Sequence, residues 1–162
     1  MLKTIISPSN KANIENAVYS ELYASNLYKH LANQLQRLGF FGAQKFFAEE
    51  SGSELEHYRK HVEFLNDVGS VAGLPEIDAM NDKVTSLRDA IQIGYDTELQ
   101  LYQDYKKWYS AAADDPVVQQ FLLQFLDIQR ESVGEYGDLL VRLDIAGDDK
   151  CALLIIDQEM GS

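Results

Sequence analysis

"SELEHYRKH", Ser53–His61, lies inside a long run whose apolar spacing is helical. It sets a glutamate and a histidine, Glu54 and His57, three residues apart on the face that this spacing marks as buried. Extended in alternating steps of four and three, the face reads Ala43, Phe47, Glu50, Glu54, His57, His61, Phe64 and Val68. An apolar seam at both ends is interrupted in the middle by acid and imidazole, and that interruption needs a reason.

The same periodicity places three more long helices around this one. The first runs from about Asn10 to Leu38, with Ser9 or Asn10 as N-cap and Gly39 after its end; the second, which holds the quoted stretch, runs from about 42 to 68. Residues 70–83, "SVAGLPEIDAMNDK", contain Gly73 and Pro75 and read as a connection. The third helix spans about 85–112 and the fourth about 116–145, opening on Pro116, a residue suited to a first helical turn. A short fifth helix is expected over about 148–159, although its "ALLII" run also fits a buried strand. Short first and third joints and one long middle link predict an all-α four-helix bundle with one long crossover and a short C-terminal helix, in one domain.

The bounds agree. A chain of 162 residues, 46% of them hydrophobic, supports one core. No apolar run is long enough to cross a membrane, and the opening residues lack the apolar core of a signal peptide, so the chain reads as soluble and cytosolic. The lone Cys151 can neither pair within the chain nor hold a metal alone. A net charge of -12 repels phosphate backbones and excludes nucleic acid as the main partner.

Every seam carries one polar break. It is Glu21 among Ile14, Val18, Ser25, Tyr28, Ala32 and Leu35 in the first helix, and Glu98 in the third, among Leu87, Ile91, Gly94, Leu101, Tyr105, Trp108 and Ala112. Gln129 and Ser132 break the fourth, among Val118, Leu122, Phe125, Tyr136, Leu139 and Leu143. Each break falls near mid-helix, so packing should bring Glu21, Glu54, His57, Glu98 and Gln129 to one level. Burying three carboxylates without a cation costs several kcal/mol per ion. No Lys or Arg lies on a seam to offset it. A metal ion answers the need, and carboxylates with one imidazole and no thiolate suit iron or manganese better than structural zinc. The spread over four helices fits two ions, with Glu54 as the bridge, since His57 at i+3 fixes one ion beside it. A lone Glu-x-x-His is a weak signal; set in one layer with three partners, it becomes specific.

Four motifs, "ELYASNLY" at Glu21–Tyr28, "ELEH" at Glu54–His57, "SLRDAIQIGYDTE" ending at Glu98 and "FLLQFLDIQRE" around Gln129, resemble the non-haem ferritins in order and spacing over essentially the whole chain. The resemblance implies a ferroxidase centre of two irons per subunit. Glu21 and His57 would hold the first iron, Glu54 would bridge, Glu98 would hold the second, and Gln129 would support that iron or its water. Tyr28 would hydrogen-bond a ligand and act as the redox tyrosine. It also implies Fe(II) and O2 as substrates, a ferric mineral as product, and a homo-oligomeric shell of 24 subunits. Two Fe(II) bring four positive charges against three carboxylates, and oxidation raises this to six, which favours release of the product.

Other features depart from relatives of this kind. "QRES" at Gln129–Ser132 lacks a second Glu-x-x-His, and Leu55 stands where bacterioferritins offer a haem-binding methionine, so no haem is expected. Ser53, Ile128 and Ser132 occupy positions where many bacterial ferritins build a third iron site, leaving only Glu131. Glu50 reads as a surface acid one turn from the centre, or a relay for arriving iron. His30 and His61 read as ordinary half-buried or surface histidines, Tyr105 and Trp108 as core, and Glu56 and Glu131 as solvated acids. The alternatives are a di-iron oxidase of another substrate and a catalytically weak shell-forming subunit.

Overall fold

A computed structural model describes residues 3–162. Five helices follow one another: α1 (Pro8–Leu38), α2 (Phe41–Asp67), α3 (Leu87–Ala111), α4 (Pro116–Ala146) and α5 (Lys150–Met160), with no strand among the described residues. The expected boundaries hold to within a few residues, and "ALLII" is helical. Two starts differ because of their caps. Ser7, not Ser9 or Asn10, accepts the Asn10 amide at 3.1 Å, which lets Pro8 open α1. Ser86 caps α3 through the Asp89 amide, so helix begins at Leu87. Asp115 and Asp149 cap α4 and α5 in the same way, each such cap contributing about 1 kcal/mol.

Helix α2 has no side-chain cap of its own. The tail supplies one: Asp157 of α5, 7% exposed, accepts the amides of Ala43 at 2.7 Å and Gly42 at 3.2 Å. Any side chain at Gly42 would overlap the Asp157 backbone carbonyl, so glycine there is what lets α5 dock. An aspartate at a helix N-terminus also meets the positive end of the macrodipole.

The crossover, 69–86, runs beside α1. Its start is tied where the Ile5 amide meets the Val68 carbonyl at 3.0 Å. Farther on, Tyr19 donates to Asp78, Gln34 donates to the Asp82 carbonyl, and the Val84 amide donates to Gln34. The link therefore travels the length of α1 in α1's own direction, and α3 starts where α1 ends. Helix α3 runs antiparallel to α1 and parallel to α2, and this sets Glu21 opposite Tyr105 and Tyr28 opposite Glu98. Small residues close the α1–α2 seam: the Ser25 hydroxyl donates to the Ser51 carbonyl and the Ser51 hydroxyl to the Ser25 carbonyl, both at 2.7 Å. This reciprocal clip fixes the register one turn from Glu21 and Glu54.

Candidate metal centre

The polar breaks converge. Glu21, Glu98 and Gln129 are fully buried, Glu54 is 2% and His57 9% exposed. One oxygen each from Glu21 and Glu54 and one ring nitrogen of His57 lie within 4.8 Å of one another. His57 Nδ1 is 3.1 Å from Glu54 Oε2 and 3.4 Å from Glu21 Oε2. A second group, Glu50, Glu54 and Glu98, meets the same 4.8 Å limit. Oxygens bound about 2.2 Å from one ion lie at most about 4.4 Å apart, so both groups could close on a cation with small movements. Glu54 belongs to both.

Around the first group the partners are tightly arranged. Tyr105 donates to Glu21 Oε1, and its hydroxyl is 2.9 Å from His61 Nε2. His61 Nδ1 is 2.7 Å from the His57 carbonyl, an acceptor only, so Nδ1 carries the hydrogen, and the single Tyr105 hydroxyl hydrogen lies between two acceptors, Glu21 Oε1 and the Nε2 of a neutral His61. The opposite side is organised by Tyr28, which donates to Glu98 Oε1, and by Gln129, whose Nε2 donates to Glu98 Oε2 at 2.6 Å. Both of these hydrogen bonds orient a carboxylate through its neighbour, as supporting residues around metal ligands do.

Burial and mutual repulsion set the protonation of these acids. Burial pushes the Glu54 carboxyl well above the ordinary 4.5, helped by the negative charge of Glu21 and a proton shared with it. Burial also acts to raise Glu21, but hydrogen bonds with Glu54 and His57 outweigh it and hold that group low. Glu98 is raised to about 7 by burial, with Tyr28 and Gln129 pulling against the shift. Glu50 is likewise raised to about 7, by burial and then the charges of Glu98 and Glu135. Two buried acceptor atoms are left short of a good hydrogen bond: Gln129 Oε1 has no partner, and Glu21 Oε2 has only the long 3.4 Å contact with His57 Nδ1. Each would cost about 1–3 kcal/mol unless something positive or donating meets it.

Three readings need correction. Glu50 is not a surface acid: it is half-buried and its carboxylate faces Glu54 and Glu98. His61 is fully buried, not half-buried or at the surface, and Tyr105 is more than core because its hydroxyl joins His61 to Glu21. All three lay on seams already counted, Glu50 and His61 one turn and Tyr105 two turns from the central layer. A seam residue with a polar tip within two turns of a ligand was the available signal. Other expectations agree with the structure: Glu56 and Glu131 are exposed, Trp108 is core and His30 is half-buried, bonded to Gln34. Ser53 is exposed as well.

The comparisons agree with this architecture. The chain is 30% identical over 153 residues to a ferritin of Pacifastacus leniusculus, an alignment covering 91% of this chain and 84% of the relative. It is 28% identical over 144 residues to a probable bacterial non-heme ferritin-like protein of Haemophilus influenzae, covering 88% and 87%. The fold superposes on an open pore ferritin of Archaeoglobus fulgidus with a TM-score of 0.93 at 23% identity, covering 96% of this chain and 98% of that one. The model of the ferritin-like domain matches residues 11–146, a span that runs from the first turns of α1 to the end of α4 and contains every helix that contributes to the buried layer, so the chain belongs to the ferritin-like family.

Proposed function

We propose that the protein is an iron-storage ferritin with ferroxidase activity: it binds two Fe(II) per chain at the buried layer, passes their electrons to O2, and stores the Fe(III) as a mineral inside a closed shell. The observation that carries this reading is that two three-residue ligand groups share one acid, Glu54. Glu21 and His57 hold the first iron, Glu98 the second, and Glu54 bridges them. Gln129 supports the Glu98 side, and Tyr28, hydrogen-bonded to Glu98, stands where it can pass an electron or a proton. Two Fe(II) give one electron each, and O2 takes both electrons with two protons to reach hydrogen peroxide.

Assembly has its own support. Ile145, Leu154 and Ile155 around the α4–α5 corner are 83%, 54% and 55% exposed, and Val71 and Leu74 of the crossover 79% and 75%. Apolar surface of this kind is expected to be covered by neighbouring copies, and we take the assembly to be a shell of 24, working in the cytoplasm. The acidic balance, -12 per chain, draws cations toward it.

Stepwise aerobic Fe(II) addition, followed by absorbance for the wild type beside Glu54→Ala, tests the reading. A fast phase saturating near two irons per chain should appear in the wild type and slow on the order of 100-fold in the variant, since both ions lose a ligand at once. A slow rise without saturation in both proteins would leave a shell-forming subunit without catalysis.

A further inference from the structure

Glu50 sits one turn before Glu54 on α2, and its carboxylate shares a 4.8 Å cluster with those of Glu54 and Glu98. Glu98 is already held by Tyr28 and Gln129. Glu50 has no hydrogen-bond donor and no lysine or arginine against it among the described residues. Two fully buried groups at this cluster are also uncommitted. Gln129 bonds Glu98 through Nε2, which leaves its Oε1 without a partner beside the same carboxylate. The Tyr136 hydroxyl has no partner either. Its ring stacks on that of Tyr28 at 6.3 Å, and Glu50, Glu98 and Glu54 all act on its hydroxyl through their charge. Room for this second tyrosine comes from Gly94, one turn before Glu98: a methyl group there would overlap the Tyr136 ring. The space around Glu50 therefore gathers three acids and an unpaired amide oxygen, a donor set of hard oxygens suited to a divalent cation.

Glu50 also reaches outward. A cleft of about 470 Å³ between α2, α4 and the end of α5 is lined by Glu49, Glu50, Glu135 and the Arg142–Glu159 ion pair, among others. Glu50 is the one residue common to this cleft and to the metal clusters among the described residues. Glu49 and Glu135 are exposed at its mouth.

We propose that Glu50 is a fourth carboxylate ligand of the centre, binding the second divalent ion together with Glu54 and Glu98 and passing it between the buried layer and the acidic cleft of Glu49 and Glu135. It takes the place of an acid that Ser53, exposed on the next turn of α2, does not supply. Four carboxylates then match the four charges of two divalent ions. This assignment rests on the dinuclear reading above, so the test separates the two.

Anaerobic titration with Co(II), which binds without turnover, reads stoichiometry and affinity by calorimetry and visible absorption. The wild type should take two ions per chain. Glu50→Gln, isosteric and at a half-exposed position, should keep the first at wild-type affinity and weaken the second at least about tenfold. Glu49→Gln with Glu135→Gln should keep both affinities and slow arrival of the second ion in stopped flow. Anomalous diffraction from Co(II)-soaked wild-type crystals should put a Glu50 oxygen at ligand distance from the second ion. Two ions of unchanged affinity in Glu50→Gln, or a second ion out of reach of Glu50, would refute the assignment while leaving the dinuclear centre intact. Fewer than two ions in the wild type would refute both.

Discussion

The two sides of the buried layer are made of the same chemistry and built differently. On the Glu21–His57 side every ligand is at most 9% exposed, and Tyr105 and His61 link Glu21 to the His57 carbonyl, with Glu21 Oε2 facing His57 Nδ1 at 3.4 Å. On the Glu98 side one acid opens to a surface cleft, and the polar atoms Gln129 Oε1 and Tyr136 hydroxyl are left without partners. An enclosed set of ligands holds an ion in place, whereas a half-exposed acid beside a surface cleft lets one exchange. Under the dinuclear reading proposed above, the contrast would let the layer keep one metal while passing another. Counting Glu50 also revises the charge argument. Four acids balance two Fe(II), and oxidation exceeds them by two positive charges in place of three, so product release is still favoured, by a smaller imbalance.

The sharpest way to break the comparison is to remove one supporting hydroxyl at a time. Tyr105→Phe takes from Glu21 its donor and from His61 its partner, and should weaken the first Co(II) by about 10–100-fold while sparing the second. Tyr28→Phe should do the reverse. Equal losses at both ions in either variant would mean the two sides do not act separately.

Acidity should divide them next. Glu50 and Glu98 are raised to about 7, whereas Glu21 is held low. Lowering the pH from 8 to 6 should weaken the second ion by up to about tenfold per unit for each proton it displaces, and the first ion less. The same shifts act on the metal-free chain. Folded Glu50 and Glu98 bind protons that unfolded carboxyls release near 4.5, so their contribution is present below 4.5 and is lost as pH rises through about 7. Between these values stability should fall by up to about 1.4 kcal/mol per pH unit per group, and Glu98→Gln should flatten that slope in thermal melts.

The smallest effect belongs to the tail. Asp157→Ala removes the side-chain cap of α2 and should cost about 1 kcal/mol, read as a lower Tm, with Asp157→Asn recovering most of it. Metal stoichiometry should not change, because the cap lies more than two turns of α2 from Glu54; a change would tie the tail to the centre.

Much of this was legible in one chain because period and chemistry coincide. A seam that is apolar for several turns and then breaks at mid-helix in all four helices points to a buried polar layer, whatever the packing details. Glu21, Glu54, His57, Glu98 and Gln129 could be named for that reason. Their level within the bundle followed from helix lengths and the long crossover. Glu50, His61 and Tyr105 were on the counted stripes, yet their part in the layer was not visible. A turn of helix advances about 5.4 Å, and a glutamate or tyrosine side chain is long enough to span that distance or to turn away from it.

By itself, the sequence determined the helices, the order in which they connect, the oxygen-rich character of the core and the absence of a lysine or arginine to neutralise it, since these depend on local spacing and residue type. Only the tertiary structure decided which acids meet: that Glu50 turns inward to Glu54 and Glu98, that Tyr105 bridges Glu21 and His61, and that Asp157 reaches back across 114 residues to cap α2. Those contacts depend on the distance between helices and the direction of long side chains, which are fixed by packing across the bundle and leave no periodic trace along the chain.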